Sequence, residues 1–594
     1  MTTLIHVTHE APEKMGGIGA VLEGLLTARA YQSLVDRTVL VGTTTLPFDE
    51  PPADLETVWY ETGLPAMGGV GSASVGALQD VERRFGVRLL YGRRMVSGPL
   101  ETRRAPVEVL LLDVRDALAE PVNRLKGELY HAFGLASDRY ERDWGYEEWV
   151  RVAGPGLEAL EALLGAELEQ AVLVSHEFMG LPTLLAARAR GPLPRTVYWA
   201  HEVPPVRDLL ERRRDHRLIF HQAARTREGR RSYEALLCAR GGYKHALVSL
   251  AWRLDRVFAV SDSVARELRV LSPEFHRVPV DVVYNGLPAR PIDLEARLRS
   301  RALLRRYAEA LVGTETDFVF THVARPVASK AFERDMAVLE HLDDLLAERG
   351  QTAVLLILAT DAGRRSADLV RGMEARYGWP VHHRRGWPDL VKGEVPIGLA
   401  AEAYNQWARA TRVVLVNQFG FDRASCGDRT PESMTFQDLR QGADAEFGQS
   451  AYEPFGIAQL ETLAFGGLSV ISGVCGCAQL LKRACGGRMP PNVLVARYAA
   501  GRGASAECLD EAEHDRIEHQ VAARLTRDLL ERLPSDRDEL ARLLESGWAA
   551  AERMSWQAVC AEYFAPALER LLGRPVRRRT GSAAVEFADD ARRP

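Results

Sequence analysis

Tyr452-Glu453-Pro454-Phe455-Gly456-Ile457-Ala458-Gln459-Leu460-Glu461 sets two carboxylates, with seven residues between them, across the start of an expected helix ahead of Gly466-Gly467. Were both on one helix, the usual rise would part their backbones by about 12 Å. Glycosidase carboxyl pairs sit roughly 5 to 9.5 Å apart. The spacing therefore suits a pair of binding groups better than a paired acid and base. It equally describes two solvated glutamates at a helix start, so residues elsewhere must decide.

Working outward, short β-branched runs alternate with longer amphipathic segments. Toward the N-terminus they are Leu4-Ile5-His6-Val7, Thr38-Val39-Leu40-Val41, Val107-Glu108-Val109-Leu110-Leu111-Leu112, Val172-Leu173-Val174 and Thr196-Val197-Tyr198-Trp199. After Asn285-Gly286 and a charged helical segment the rhythm restarts at Phe318-Val319-Phe320, Val354-Leu355-Leu356-Ile357-Leu358, Val413-Val414-Leu415-Val416 and Leu468-Ser469-Val470-Ile471. Alternation of this kind predicts parallel sheets with crossover helices, an α/β class. The boundary is expected near residues 285 to 300, which gives domains of 1–290 and 291–550. An amphipathic stretch opening at Met554-Ser555-Trp556 is expected to form a helix over 551–572. The tail 573–594, with Arg577-Arg578-Arg579 and few large apolar residues, is expected to be disordered.

Size and charge agree with two domains. At 594 residues and 46% hydrophobic content the chain exceeds one ordinary core. Its 76 basic and 81 acidic residues leave a net charge of -5, so no global positive field recommends nucleic acid or an anionic membrane, and any anion site must be local. No apolar run reaches the roughly 18 residues that span a bilayer, and Met1-Thr2-Thr3-Leu4-Ile5-His6 lacks the regions of a secretory signal; a cytoplasmic address is expected. Seven scattered cysteines do not form a disulfide framework, and the cluster Cys475, Cys477, Cys485 lacks a histidine or second cysteine pair that would suggest zinc.

Three motifs carry chemistry. Glu13-Lys14-Met15-Gly16-Gly17-Ile18-Gly19 lies between the first strand and a helix. Its glycines let a ligand approach the backbone, the helix start offers N–H donors, and Lys14 adds charge suited to a phosphate; a Gly-Gly turn is also common in any α/β protein. Ala324-Arg325-Pro326-Val327-Ala328-Ser329-Lys330 follows the strand at Phe318. Arg and Lys five positions apart in a strand-to-helix loop can converge on one diphosphate, or simply form a solvated basic loop. Ser175-His176-Glu177-Phe178 and Ala200-His201-Glu202 each place a histidine beyond an expected strand, at the edge where open α/β sheets bind ligands. Such a histidine is also often a satisfied structural residue.

These motifs, in this order, resemble those of glycogen and starch synthase-like retaining glycosyltransferases of the GT-B architecture. Lys14 to Gly17 resembles their K-T-G-G-L loop, Arg325 and Lys330 their R-x4-K element, and Glu453 to Glu461 their E-x7-E element. Arg256-Val257-Phe258-Ala259-Val260-Ser261-Asp262-Ser263, Tyr130-His131-Ala132-Phe133-Gly134 and Asp138-Arg139-Tyr140 extend the likeness, which covers about residues 1 to 570. It is patchy in the first half and dense around Arg325 and Glu453. The resemblance implies two Rossmann-like domains facing across a cleft, with a C-terminal helix crossing back to the first.

It also implies a function: transfer of glucose from ADP- or UDP-glucose to an α-1,4-glucan end with retention. Arg325 and Lys330 would grip the leaving diphosphate, aided by Lys14, Gly16 and Gly17. His201 and Glu453 would face the donor sugar, and Glu461 the ribose. No acidic metal-binding motif is evident, and no cofactor or metal is expected. The partners expected are a nucleotide sugar and a glycan, without nucleic acid or a membrane span. A transferase for a small-molecule or cell-surface glycan acceptor, and a catalytically silent glucan-binding protein, remain alternatives.

The chain also departs from the family. Met15 and Ile18 replace Thr and Leu, Glu177 and Phe178 replace the Asp and Trp of a His-Asp-Trp element, and Gly473-Val474-Cys475-Gly476-Cys477-Ala478 stands where Thr-Gly-Gly is usual. The polar segment 417–440 reads as an insertion, either an acceptor-shaping lid or a surface excursion.

Overall fold

The computed structural model describes residues 2–44, 55–65, 68–99, 103–498 and 511–576. Contacts divide the chain into two compact units. One comprises the described residues of Met1–Val206, Arg230–Gly286 and Trp556–Pro594; the other comprises those of Arg207–Gly229 and Leu287–Ser555.

The first unit holds a nine-stranded sheet of β1 (Thr3–Val7), β2 (Arg37–Thr43), β3 (Leu55–Glu61), β4 (Arg88–Ser97), β5 (Arg104–Asp113), β6 (Val172–His176), β7 (Arg195–Ala200), β8 (Arg256–Ala259) and β9 (Val280–Val282). Their spatial order is β3-β4-β5-β2-β1-β6-β7-β8-β9. From β5 to β9 the neighbours run parallel, as expected. The edge does not: β4 pairs antiparallel with both β3 and β5. The alternation of apolar runs gave no sign of this ribbon, because Arg88, Arg93 and Arg94 interrupt β4.

The second unit holds β10 (Phe318–Val323), β11 (Ala353–Leu358), β12 (Thr411–Val416), β13 (Ala445–Gly448), β14 (Leu468–Ser472) and β15 (Val493–Ala496). All neighbours are parallel, in the order β12-β11-β10-β13-β14-β15. That is the 3-2-1-4-5-6 order of a Rossmann sheet. Strand β11 shows why its sequence is a continuous apolar run. Ala353, Leu355 and Ile357 enter one core cluster, and Val354, Leu356 and Leu358 enter another on the opposite face. Both faces of a parallel sheet are covered, which makes β11 apolar on both.

Two chain excursions matter for the site. Residues 207–229, which the expected boundary left in the first domain, lie in the second unit. The cause is local: the amphipathic helix His216–Ala223 puts Leu218 and Ile219 into the cluster with Phe320 and Phe332, and Arg217 pairs with Glu333 at 3.0 Å. In the other direction, the helical run from Trp556 to Leu572 packs in the first unit. The Trp556 ring fills a notch over Gly24, where an added Cβ would come within 2.1 Å of it. Phe564 lies 5.6 Å from the Tyr31 ring and 5.8 Å from the Trp199 ring. The run carries a π-helical turn at Cys560–Phe564, just ahead of Pro566, whose missing N–H removes one ordinary helical bond.

Segment 417–440 alternates exposed residues with residues that enter the core. Phe421, Cys426, Met434 and Leu439 lie in one core cluster with Tyr307, Val354 and Leu356. Its last part forms the helix Phe436–Gly442, started by a capping box between Thr435 and Asp438. Of the expected tail, residues 577–594 lie outside the described residues. No described helix is long and apolar enough to cross a membrane.

Candidate functional site

In each unit the candidate residues gather at the carboxyl ends of the central strands, beside the switch point of strand order where open α/β sheets bind ligands. In the second unit that point falls between β10 and β13. The loop leaving β10 carries Arg325 and turns through Ala328–Lys330 into the helix Phe332–Arg349. Ala331, at φ 54°, takes a left-handed conformation that a residue with a Cβ rarely adopts, a strained joint directly after Lys330. Ser329 is the buried pin of this loop. Its carbonyl accepts from the Ala451 and Tyr452 N–H groups at 2.8 and 3.3 Å, and its hydroxyl donates to Glu211 at 2.8 Å.

That pin brings two expected residues together, since Lys330 Nζ lies 2.5 Å from Glu453 Oε2. Gln459 also donates to this oxygen at 3.2 Å. The side chain of Arg325 is exposed and forms no ion pair among the described residues. Glu453 and Glu461 do not share a helix: Glu453 lies in the loop, and Glu461 in a 3-10 helix, Ala458–Phe465. Glu461 is held by a residue that sequence reasoning missed. Arg440 Nε lies 2.9 Å from Glu461 Oε2 without the alignment of a hydrogen bond, and its Nη1 donates to Glu446 Oε2 at 2.7 Å. Glu446, fully buried at the switch point, also accepts from the Val323 N–H at 2.9 Å and from the Thr321 hydroxyl. Burial pushes its carboxyl above the usual range, opposed by Arg440.

The first unit's switch point falls between β1 and β6. Beyond β1, the Gly16-Gly17 turn enters the helix Gly17–Thr27 as expected. Two N–H groups just ahead of it are already engaged. Glu10 Oε2 accepts from Met15 N at 2.7 Å and Gly16 N at 2.6 Å, and Lys14 pairs with Glu23 at 2.5 Å. Gly19 makes this possible, because a Cβ there would come within 2.4 Å of Glu10. An anion that used the Met15 and Gly16 N–H groups would have to displace the chain's own carboxylate. The adjoining cavity, of about 210 Å³, is lined by Glu10, Glu13, Lys14, Glu23 and Arg94 among others.

His201 stands past β7 in a row of rings. Its Nε2 lies 2.8 Å from His176 Nδ1, and His176 Nε2 lies 2.8 Å from Nδ1 of His6, a residue not anticipated from sequence. His6 Nε2 is 3.1 Å from the Tyr31 hydroxyl, which is 3.0 Å from Thr38 Oγ1. Burial drives His201 and His6 down to about 3, and His176 well below its ordinary value with the neighbouring rings adding to burial. Glu177, whose role the sequence left open, orients this edge. At φ 61° it turns its carboxylate so that Oε1 accepts from the backbone N–H groups of His201 and, at 2.7 Å, Glu202.

Among the described residues, His514, Asp515 and Glu518 have metal-ligand spacing. Arg214 already lies 3.0 Å from Asp515 and 3.1 Å from Glu518, in the place a cation would take.

No family model matches this chain, and no curated protein does. Solved structures do. Sucrose-phosphate synthase from Thermosynechococcus elongatus is similar over 96% of this chain and 100% of its own, at 12% identity and a TM-score of 0.51. The catalytic domain of starch synthase IV from Arabidopsis thaliana, bound to ADP and acarbose, matches over 96% and 99% at 14% identity and 0.51. A UDP-forming α,α-trehalose-phosphate synthase from Burkholderia xenovorans, in complex with glucose-6-phosphate, matches over 96% and 99% at 13% identity and 0.50. At these identities the likeness is one of fold: two α/β domains in the GT-B arrangement.

Proposed function

We propose that this GT-B chain is a retaining glycosyltransferase that moves glucose from a nucleoside diphosphate glucose to the end of an α-1,4-glucan. The observation that supports this most is the Lys330–Glu453 pair at the switch point of a Rossmann-ordered sheet, on the loop that also carries the exposed Arg325. Without donor, Glu453 neutralises Lys330. A diphosphate would take over the ammonium, leaving Glu453 to accept hydrogen bonds from the sugar hydroxyls. As the bond between the anomeric carbon and the phosphate oxygen breaks, negative charge grows on the diphosphate, and Arg325 and Lys330 stabilise it as preorganised cations. The acceptor oxygen bonds to the same face of the anomeric carbon, and its proton leaves on the departing phosphate oxygen. Glu461, held by Arg440, would accept from the ribose hydroxyls, and His201 would meet the donor sugar. Lys14, Gly16 and Gly17 would reach the phosphate once Glu10 yields its place. On this reading the cations meet the diphosphate charge, and no metal or other cofactor is required.

A second reading, a small phosphorylated sugar as acceptor, is favoured by the sucrose-phosphate and trehalose-phosphate synthase likenesses. The cavity beside Lys14 weighs against it. Three carboxylates, Glu10, Glu13 and Glu23, face Lys14 and Arg94 there, a balance that suits neutral hydroxyls better than a phosphate. The test is nucleotide release from ADP- and UDP-glucose with glycogen, with glucose-6-phosphate, or with no acceptor. Release dependent on glycogen is expected. Release dependent on the sugar phosphate would establish the second reading, and donor binding without release under any condition would make the chain a silent binder.

A further inference from the structure

The row Tyr31, His6, His176, His201 has a property that its separate bonds do not. His6 and His176 are fully buried, and Tyr31 is nearly so. The rings meet edge-on: the centroids of His176 and His201 are 5.1 Å apart with planes only 16° apart, while the facing nitrogens are 2.8 Å apart. The His6 and His176 centroids are also 5.1 Å apart, with planes 32° apart, so at both ring pairs the facing nitrogens can share one proton. Burial keeps His6 and His176 uncharged, and the partly exposed His201 is shifted the same way, so each carries one proton on two nitrogens.

That count fixes their relation. His176 makes a bond at each nitrogen with a single proton, so it donates once and accepts once. If His201 donates to it through Nε2, His176 must donate onward from its own Nε2 to His6 Nδ1, and His6 from its Nε2 to the Tyr31 oxygen. If instead the Tyr31 hydroxyl donates to His6, every ring holds its proton on Nδ1. Any mixed arrangement faces two N–H groups or two lone pairs, or requires a charged ring in a dry site. The nitrogen of His201 that the relay leaves over, Nδ1, makes no hydrogen bond among the described residues.

We propose that Tyr31, His6, His176 and His201 act as one relay whose three imidazoles share a single tautomer, so that the hydroxyl at the buried end decides whether His201 offers an N–H or a lone pair at the sheet's carboxyl edge. Tyr31, His6 and His176 are thus positioning residues for His201. The meeting of Nδ1 with a donor-sugar hydroxyl rests on the function proposed above; the tautomer coupling does not. Phe564, packed against both Tyr31 and Trp199, holds the end of the relay away from water.

The test uses the full chain labelled with ¹⁵N-histidine, reading Nδ1 and Nε2 protonation by long-range ¹H–¹⁵N correlation at neutral pH, with Tyr31→Phe as the variant. Expected are one tautomer common to His6, His176 and His201, and a joint shift of all three in Tyr31→Phe. Transfer kcat should fall roughly ten- to hundredfold, the scale on which partners that orient an active-site histidine act in metal sites, with the donor KM unchanged. Opposite tautomers for His6 and His201 in the parent chain would overturn the proposal. So would unchanged His201 signals in Tyr31→Phe, even if kcat falls. Joint tautomers in a chain that transfers no sugar would uphold the relay and remove the proposed function instead.

Discussion

His201 in the first unit and Lys330 in the second are held by opposite means. In the first, His201 is fixed by uncharged bonds between buried rings and by a carboxylate that receives backbone N–H groups. In the second, Lys330, Glu453, Glu461, Arg440 and Glu446 are fixed by ion pairs. A neutral, oriented nitrogen suits a sugar hydroxyl, where direction matters and charge would cost desolvation. Ion pairs suit a diphosphate, because a cation parked on a carboxylate can be handed to a stronger anion. On the proposed function, the difference gives orientation to one unit and charge to the other.

The strongest attempt to break this contrast is Arg440→Ala. It leaves Glu446 buried beside Glu461 without its cation, and losing one partner of a buried pair costs about 3 to 5 kcal/mol. Denaturant unfolding should show that loss, and Glu446→Gln in the same chain should recover part of it. A loss no larger than that of a surface substitution would mean that these charges are solvated and that the second unit does not depend on them. Next come Arg325→Ala and Lys330→Ala, each expected to lower turnover by about 10² to 10³ while the fold stays intact. Near-normal turnover in both would take the second unit's cations out of the reaction.

The smallest effect sharpens the contrast through pH. His6 falls from 6.5 to about 3 in the folded chain, so between those values the unfolded chain binds a proton that the native ring refuses. Stability from such a ring is complete above pH 6.5 and is lost as pH falls, by about 1.4 kcal/mol for each pH unit. His176 has the same sign. Glu446 has the other: its raised carboxyl contributes most below its ordinary value of 4.5 and loses that contribution as pH rises. Probes in the first unit should therefore report acid loosening from pH 6.5 downward, before probes near Glu446 do. Simultaneous loosening would show that the two electrostatic designs do not act separately.

Much of the architecture was legible because burial on both faces of a sheet writes itself as an apolar run, as at Ala353–Leu358. The loop that carries Arg325 and Lys330 was legible because an apolar strand precedes it. Other features depended on contacts that no local pattern carries. His6 sits inside an apolar run and meets its partner 170 positions away. Arg440 read as part of a polar insertion, yet it reaches Glu461 and Glu446 because the segment around it is core. The antiparallel edge was hidden by arginines on its central strand, and the transfer of residues 207–229 to the second unit was hidden because an amphipathic helix does not say which core it will join.

The seating of Trp556 on Gly24, with Gly286 close behind it, has a consequence for biosynthesis. The sheet begun by Thr3–Val7 receives its closing helix only after residues beyond 555 have left the ribosome. A nascent chain halted before that point carries an open notch over Gly24 and a bare Tyr31 face. A strand made early in synthesis thus waits for its covering helix until residues beyond 555 are made.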